Sequence, residues 1–405
     1  AAGHDVHVLT GFPHHPTGHI PPEYKRAFRR GFMREEMDGV HVYRTWIFPA
    51  ANRGKIRRSL NYGSFMASAT IAGSLALPRP DVIVATSPQL LCAASGRMLA
   101  RRFRVPLVME VRDLWPESLV AVGASGSRSL LVGGLERLAK ALYRGASHIV
   151  TVTESQRAAI LAAGIPAERV SVVPNGVDRT FFEAGAAPAA AATQDERPAR
   201  FCVTYIGTIG MAHHLETLLE AATELRGDSR FHFRVVGEGA RREALEAQAR
   251  SAGLGNVEFC GQRPRGEVAR WIAESSACAV LLRQNDVFRT VVPSKMLEIM
   301  AVGRPVLLGV EGEARALMER ACAGMAIEPE NAGQLAAAIR SLAGDPERCR
   351  QFGENGRKFA AAEFQRERLA ERYLDLLGRL VPGTASDSLA VRQSGSPIPS
   401  VEEPG

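Results

Sequence analysis

The chain has 405 residues, a length that predicts two or three domains. Its 46% hydrophobic and 23% charged residues are typical of a globular protein with a sizeable core, and its six scattered cysteines, without a C-x-x-C pair, exclude a disulfide framework and a cysteine zinc site. They predict free, buried thiols in a reducing compartment. The net charge is +7, and residues 23–58 hold nearly the whole excess, with ten Lys or Arg against four acids.

The basic segment 23–58 is followed directly by an uncharged, largely apolar stretch, residues 59–77. Asn61, Gly63 and Gly73 make this stretch too polar for a membrane span, which needs roughly 20 predominantly apolar residues. A basic segment beside an apolar helix favours a protein that rests on an anionic membrane face. A solvated arginine surface followed by a core helix is the open alternative. Nucleic acid is not an expected partner, because few aromatics are interleaved and no binding motif occurs.

Short β-branched runs alternate with helical stretches along the chain. The predicted strands cover residues 4–10, 39–45, 81–86, 105–111, 147–153 and 170–174 in the first half and 201–207, 231–237, 256–261, 277–283 and 305–309 in the second. This alternation predicts an α/β fold with parallel, doubly wound sheets. Two such sheets, joined by an Ala/Pro-rich linker at 183–200, leave a cleft, and ligands bind at the carboxyl ends of such strands.

The C-terminal residues divide into a helix and a tail. Residues 359–380 have the apolar spacing of a helix, and we expect this helix to be able to cross back to the first domain. After Pro382 the composition turns to Ser, Pro, Gly and acids, which predicts disorder for residues 383–405.

The densest local signal is "FRTVVPSKMLEIMAVGRPVL", Phe288 to Leu307. Pro293 suits the first position of a helix because it has no N–H to lose, so the free amides begin at Ser294 and Lys295. A helix N-terminus carries roughly half a positive charge and binds anions, and the lysine adds a whole charge. Glu298 follows three residues later on the same face. The pattern predicts a diphosphate site, and a surface Lys–Glu pair is the alternative.

Two glycine-rich turns follow strands of the second half. In "YIGTIGMAHHLETLLEAA", Gly207 and Gly210 allow the backbone to approach a ligand, and a helix begins near His214. In "VVGEGARREALEAQA", the turn that begins at Gly237 resembles G-x-G-x-x-G, but its last position is Arg242. The incomplete dinucleotide fingerprint speaks against an oxidoreductase.

Ionisable residues crowd the end of a strand in "VMEVRDLWPESLVAVG". Glu110, Arg112, Asp113 and Glu117 stand where an apolar run would be expected, and such groups are costly unless they pair or meet a ligand. Both a functional role and a structural ion-pair network are consistent with this pattern.

A histidine-rich loop, "GFPHHPTGH", follows the opening strand and carries His14, His15 and His19. Without a paired carboxylate, it favours contact with an acceptor, or no ligand at all, over a metal site. No Asp-x-Asp motif occurs in the chain, so neither a metal-held diphosphate nor a cofactor is expected. The helix N-terminus and Lys295 would then supply the positive field.

Four stretches, in this order, resemble the family-4 retaining glycosyltransferases of the GT-B fold: "EVRDLWPES", "VVPNGVD", "YIGTIGMAHHLETLL" and "FRTVVPSKMLEIMAVGRPV". They are similar to the WbuB-like branch, which builds bacterial surface polysaccharides. The resemblance implies two Rossmann-like domains facing a cleft, an acceptor-side domain at 1–182 and a nucleotide-sugar domain at 201–358. It implies transfer with retention from a UDP-linked sugar to a lipid-linked glycan, by a cytoplasmic enzyme at the inner face of the plasma membrane.

The resemblance also implies roles for residues. Glu298 matches the second glutamate of the family's E-x7-E motif, a ribose ligand, whereas the first glutamate is replaced by Thr290. The implied donor-binding residues are Gly207, Thr208, Gly210, Gly237, Arg283, Thr290, Val292, Pro293, Ser294, Lys295 and Glu298. The implied catalytic residues are Arg112, Asp113, Glu117 and Lys295, and those on the acceptor side are His14, His15, Trp115 and Asn175. Retention in the family is thought to proceed without a protein nucleophile, so leaving-group stabilisation is the main task.

Departures from the family pattern keep other interpretations open. The family's first strand and glycine-rich loop are missing ahead of "AAGHDVHVLT", so we expect an exposed sheet edge and low activity from this 405-residue form. The change at Thr290 leaves room for a non-catalytic, nucleotide-sugar-binding relative. A nucleotide-sugar 2-epimerase shares the fold and is the other alternative.

Overall fold

The structure is a computed structural model that describes residues 3–14, 18–50, 55–114, 130–186 and 200–381. The strands are β1 (His7–Gly11), β2 (Phe32–Met37), β3 (Val40–Thr45), β4 (Ile83–Thr86), β5 (Leu107–Val111), β6 (His148–Thr151), β7 (Val170–Val172), β8 (Phe201–Ile206), β9 (Phe231–Val236), β10 (Val257–Gly261), β11 (Ala277–Leu281), β12 (Val306–Gly309) and β13 (Gly324–Ala326). All eleven predicted strands are thereby confirmed, and two further strands, β2 and β13, were not predicted.

The helices alternate with these strands. They are α1 (Lys25–Arg30), α2 (Lys55–Ala76), α3 (Leu90–Phe103), α4 (Leu130–Gly145), α5 (Glu154–Ala162), α6 (Arg179–Ala186), α7 (Glu216–Leu225), α8 (Arg242–Ser251), α9 (Arg265–Ala273), α10 (Ser294–Val302), α11 (Glu313–Ala321), α12 (Ala332–Ala343), α13 (Pro346–Glu363) and α14 (Arg366–Leu380). None of the helices in the described part of the chain combines the length and the hydrophobicity that a membrane span requires.

The C-terminal half is built on one parallel sheet with the order β10-β9-β8-β11-β12-β13. Side chains of its central strands alternate between two cores. In β11, Ala277, Ala279 and Leu281 pack on one face, while Cys278 and Val280 pack on the other. Because helices cover both faces, these strands are continuous apolar runs, which is why the sequence pattern located them correctly. The predicted α/β, doubly wound architecture is confirmed.

The N-terminal half contains two sheets where one was expected. Strands β4-β5-β6-β7 are parallel, and β1-β3-β2 form a separate mixed sheet in which β2 runs antiparallel to β3. The antiparallel pair exists because Asp38 and Gly39 both adopt positive φ, of 52° and 78°, as a tight hairpin requires. Among the described residues, β1 pairs only with β3 and β4 only with β5, so each of these two strands lies at the edge of its sheet. The expectation of low activity stays a prediction.

The chain crosses between the halves twice. Helix α6 packs into the C-terminal core through Phe181, so the packing boundary lies before residue 182 rather than after it. The predicted helix 359–380 is interrupted, because the backbone around Phe364 pairs with Val177: the Val177 amide donates to the Phe364 carbonyl at 2.7 Å. Helix α14 then lies against the N-terminal half, where the Tyr373 hydroxyl donates to Glu110. The predicted tail 383–405 and most of the predicted linker lie outside the described residues.

Candidate functional site

The N-terminus of α10 opens toward the carboxyl ends of the C-terminal strands. Pro293 occupies the position just before the helix rather than its first turn, and its carbonyl accepts the Met296 amide at 2.9 Å. The amides of Ser294 and Lys295 therefore remain available, as the sequence predicted. The six buried side chains of this nine-residue helix are Met296, Leu297, Ile299, Met300, Ala301 and Val302. The core thus fixes the helix, and Lys295 and Glu298 occupy its remaining face.

Lys295 is held by an aromatic side chain. Its Nζ donates to the Tyr205 hydroxyl at 2.9 Å and lies 4.1 Å from the centroid of that ring. The Tyr205 hydroxyl in turn donates to the Thr208 carbonyl at 2.7 Å, which ties the lysine to the turn after β8. Burial lowers the pKa of Lys295 to about 7, and the nearby Glu298 carboxylate opposes this shift. The charged form of Lys295 therefore costs free energy in the free protein, and a bound anion would reduce this cost.

Glu298 has a partner of its own. Its carboxylate lies 3.4 Å from the Arg265 guanidinium, and burial raises its pKa, while Arg265 and Lys295 act in the opposite direction. Lys295 and Glu298 form no ion pair with one another within the described part of the chain. The alternative of a simple surface Lys–Glu pair is therefore wrong, because each of the two side chains has a separate partner.

Two glycines let the strand ends meet the lysine. A Cβ on Gly207 would lie 2.6 Å from the Lys295 Nζ, and one on Gly237 would lie 1.9 Å from the Gly207 carbonyl oxygen. Both residues have positive φ, of 139° and 149°. A side chain at Gly207 would push the Lys295 ammonium group away, and one at Gly237 would displace the backbone of the turn at Gly207. Gly210 differs, because its Cβ would meet only ordinary contacts, the nearest at 3.5 Å.

Gly237→Ala is therefore expected to lower the free energy of unfolding by at least about 1 kcal/mol, because alanine at positive φ is strained and would strike the Gly207 carbonyl. Gly210→Ala is the matched control and should change stability by less than about 0.5 kcal/mol. Urea unfolding of both variants measures the difference. Equal effects at the two positions would contradict this account of the turn.

The remaining predicted donor residues lie on the segment between β11 and α10. Thr290 ends a 3-10 turn, Asp286–Thr290, and its hydroxyl donates to the Val287 carbonyl at 2.9 Å. Val292 is partly buried against the C-terminal core. Arg283 is exposed and borders a smaller cavity of about 310 Å³, away from Lys295.

In the N-terminal half, the charged residues after β5 separate into two groups. Arg112 pairs with Glu110 at 3.3 Å and donates to the Asn175 side-chain oxygen at 3.0 Å. Together with the Tyr373 contact, this places Arg112 and Asn175 in a structural network between β5, β7 and α14. Asp113 takes part in no ion pair among the described residues, and burial raises its pKa despite the neighbouring Arg112. Of this cluster, Asp113 is therefore the best candidate for a residue that contacts a ligand.

His14 is engaged by the protein itself. Its Nδ1 lies 2.9 Å from the Phe12 carbonyl and its Nε2 lies 2.9 Å from the Asn61 side-chain nitrogen, so both ring nitrogens have partners. Three predicted residues, His15, Trp115 and Glu117, lie outside the described residues. Within the described ranges, no cluster of three or more His, Cys, Asp or Glu could hold a metal ion. All six cysteines are free, as predicted, but the prediction that they are buried holds only for Cys202 and Cys278.

The two halves touch next to Thr290. The Thr153 hydroxyl donates to the Thr290 carbonyl at 3.0 Å, and Glu313 accepts the amides of Glu154 and Ser155 at 2.9 and 2.7 Å. A carboxylate of α11 thus caps the N-terminus of α5 across the cleft. A cavity of about 990 Å³ lies beside these contacts, bordered by both halves and by α14.

Sequence reasoning missed two residues next to Lys295. Tyr205 lies in a predicted strand, and no local pattern indicates that its hydroxyl reaches a lysine 90 positions away. His213 lies edge-on to Tyr205, with 6.0 Å between ring centroids. Burial and the Lys295 charge lower the pKa of His213 to about 4, so this imidazole is neutral near neutral pH. The double histidine in "GMAHH" was the available signal.

Two family models match the chain. The Glycosyl transferase 4-like domain matches residues 1–176, and Glycosyl transferases group 1 matches residues 191–359. A curated relative, the putative colanic acid biosynthesis glycosyl transferase WcaI of Escherichia coli K12, is 28% identical over 354 residues, which is 84% of each chain.

Solved structures share the fold at low identity. HepE of Anabaena in complex with UDP is 17% identical with a TM-score of 0.67, over 93% of this chain and 100% of that one. Sucrose-phosphate synthase of Thermosynechococcus elongatus is 18% identical with a TM-score of 0.71, over 93% and 99% of the two chains. At such identities the likeness establishes the architecture of two domains and a cleft.

Proposed function

Because the chain is a glycosyltransferase of the GT-B fold, we propose that it transfers a sugar with retention from a UDP-linked donor to a lipid-linked glycan, in bacterial surface-polysaccharide synthesis. The observation that carries the proposal is the α10 N-terminus, where two available amides and the Lys295 ammonium converge beside Gly207. This arrangement suits a diphosphate.

The reaction needs charge stabilisation at the leaving group. The bond between C1 of the sugar and the β-phosphate oxygen breaks, and C1 bonds to the acceptor hydroxyl oxygen on the same face. The hydroxyl proton goes to the departing phosphate oxygen. Negative charge grows on the diphosphate as its bond breaks, and preorganised donors aimed at such charge are commonly the largest catalytic contribution. In this proposal, Lys295 and the helix amides provide that stabilisation.

Glu298 supports binding of the nucleoside. Its carboxylate is partly buried on the same helix face as Lys295 and is positioned by Arg265. A carboxylate there can accept hydrogen bonds from both hydroxyls of a ribose. Thr290, which stands at the position of the family's first glutamate, brings no charge to the donor sugar, and its hydroxyl is already directed to Val287. Sugar recognition would therefore rely more on backbone groups around residues 290–292.

Names of similar proteins support the substrate classes. The E. coli relative is described as a putative colanic acid biosynthesis enzyme, and structures of Anabaena HepE contain UDP and UDP-glucose. For this chain, the donor and the polysaccharide pathway are proposals that follow from those descriptions. The acceptor would enter from the N-terminal half, near Asp113, while its lipid stays in an anionic membrane face.

The test is a thermal-shift screen with UDP, GDP and ADP and their sugar conjugates, followed by transfer assays with membrane extracts as acceptor. A UDP-linked ligand at 100 times its dissociation constant should add about 2.7 kcal/mol of stability. Transfer should persist in EDTA, and the anomeric proton couplings of the product should show retention. Formation of an epimer without acceptor would instead indicate an epimerase, and binding without any turnover would indicate a non-catalytic relative.

A further inference from the structure

Helix α2 exposes an apolar stripe along its whole length. Ile56, Leu60, Ile71 and Leu75 are 78%, 51%, 62% and 82% exposed, with the exposed Ala67 between them. At 100° per residue, these five positions fall within about 100° of one another, on a face roughly 28 Å long that they share with Arg57, Ser64 and Ser74. The opposite face is used by the fold, since a Cβ on Gly73 would meet Leu9 and Leu99 at 2.9 Å.

The stripe continues onto neighbouring elements. Thr70 of α2 donates to the sulfur of Met98 at 3.6 Å, and Met98 of α3 is itself 49% exposed. On another side, the Ser68 hydroxyl of α2 donates to the carbonyl of Trp46, whose indole is exposed and stacks over Phe28. An aromatic with a polar edge beside an apolar stripe is typical of residues at a membrane–water interface.

The two helices themselves carry charge of a single sign. Helices α2 and α3 contain no Asp or Glu. The exposed Arg57, Arg101 and Arg102 and the partly exposed Arg58 have no ion-pair partner among the described residues, and the nearest acid after α2 in the chain is Asp81. A soluble domain usually pairs or intersperses such charges, and an apolar stripe of this extent usually marks a binding surface.

We propose that this surface, formed by the apolar stripe of α2 with Met98, Trp46 and the four arginines, docks the protein on an anionic lipid bilayer. The helix lies parallel to the membrane, its apolar side chains enter the acyl boundary, and the arginines contact lipid phosphates. The inference deepens the proposed function, on which it rests for its purpose, because a lipid-linked acceptor is presented at that same boundary. It adds Met98, Arg101 and Arg102 of α3 to the basic segment 23–58 and the apolar stretch 59–77.

A second copy of this chain is the competing occupant. An interface between two copies would juxtapose the arginines of both partners, and like charges without acids between them oppose such pairing. An anionic bilayer meets both features, the apolar stripe and the unpaired positive charge, at once.

The experiment measures sedimentation of the full chain with vesicles of phosphatidylcholine alone or mixed with phosphatidylglycerol, at low and high salt. Wild-type protein should partition at least about tenfold more strongly to the mixed vesicles, and salt should reduce this preference. Ile71→Ser with Leu75→Ser should lower partition about tenfold or more, since two large side chains no longer enter the bilayer. Arg101→Gln with Arg102→Gln should remove much of the preference for anionic lipid.

Matched controls lie in the other half of the molecule. Met211→Ser removes a side chain that is 63% exposed there, and Arg226→Gln with Arg250→Gln removes two exposed arginines. Both should leave partition unchanged. Unchanged partition in the Ile71/Leu75 variant, or failure of the wild type to prefer anionic vesicles, would overturn the proposal. A wild-type dimer that the Ile71/Leu75 variant converts to a monomer would assign the surface to a second copy instead.

Failure of this inference can be told apart from failure of the proposed function. The Ile71/Leu75 variant should keep its thermal shift with the nucleotide ligand, which also shows that it is folded. A Lys295→Met variant should keep vesicle partition while losing that shift. If vesicle binding fails and the nucleotide response persists, only the docking surface is wrong.

Discussion

Lys295→Met is expected to reduce kcat/KM for donor turnover by more than tenfold, a loss of at least about 1.4 kcal/mol of transition-state stabilisation. The same variant should be more stable than the wild type near neutral pH. Burial lowers the folded-state pKa of Lys295 to about 7, well below its ordinary value of 10.5. At a pH below the pKa of Lys295 in the unfolded chain, folding must either release the proton of Lys295 or bury its charge. Both cost free energy, and methionine removes this cost. Steady-state kinetics and urea unfolding measure the two effects.

Two further variants locate the effect. Lys358→Met removes an exposed lysine from α13 and should change neither quantity. Tyr205→Phe keeps the ring under the ammonium group but deletes the hydroxyl that joins Lys295 to the Thr208 carbonyl. It should weaken donor binding without abolishing it. A Lys295→Met protein that turned over at the wild-type rate would defeat the proposed role of the helix N-terminus.

Elements set by local pattern could be predicted from the sequence. Strands buried on both faces are apolar runs, so β8 through β12 were located within two residues at each end. The α10 N-terminus was also found, because a proline followed by a lysine at the start of an apolar helix is a local signal. The helix was predicted to begin at Pro293, but it begins at Ser294, and helix ends are commonly uncertain by about one residue.

Elements set by contacts distant in sequence could not be predicted. The burial that lowers the pKa of Lys295 involves Tyr205 and the turn at Gly207, which lie in and directly after another strand. The capping of α5 by Glu313 joins groups 158 and 159 positions apart. Strand β2 was missed because its charged sequence, "FMREEM", lacks an apolar run, and the hairpin partner β3 supplies its packing. No window of sequence contains these facts.

The contacts around Thr290 bear on the departure from the family motif. The Thr290 carbonyl accepts the Thr153 hydroxyl, and Glu313 receives the two amides that follow Thr153. Residue 290 is therefore part of the contact between the halves as well as a border of the donor opening. A substitution there changes the charge presented to the sugar without removing the backbone contact, so loss of the glutamate is compatible with a working cleft.

Donor affinity is expected to decrease as pH rises through the pKa of Lys295. Below about pH 7 the free protein holds Lys295 protonated and binds the diphosphate directly; above it, binding must first take up a proton. Affinity should then fall up to tenfold per pH unit, roughly twentyfold between pH 6.5 and 8.5. Of the other groups around Nζ, His213 and Tyr205 do not titrate there, because the pKa of His213 is lowered to about 4 and burial raises the pKa of the Tyr205 phenol. Burial also raises the pKa of the Glu298 carboxyl, and Arg265 opposes that shift. Titration calorimetry with the nucleotide sugar found by thermal shift, in two buffers of different ionisation enthalpy, should show uptake of about one proton at pH 8.5. A nucleotide sugar is the better probe than the free diphosphate, because its phosphates carry no proton to lose in this range.

Lys295→Met should bind weakly and independently of pH, and a wild-type protein with the same flat profile would show that the ammonium group does not meet the diphosphate.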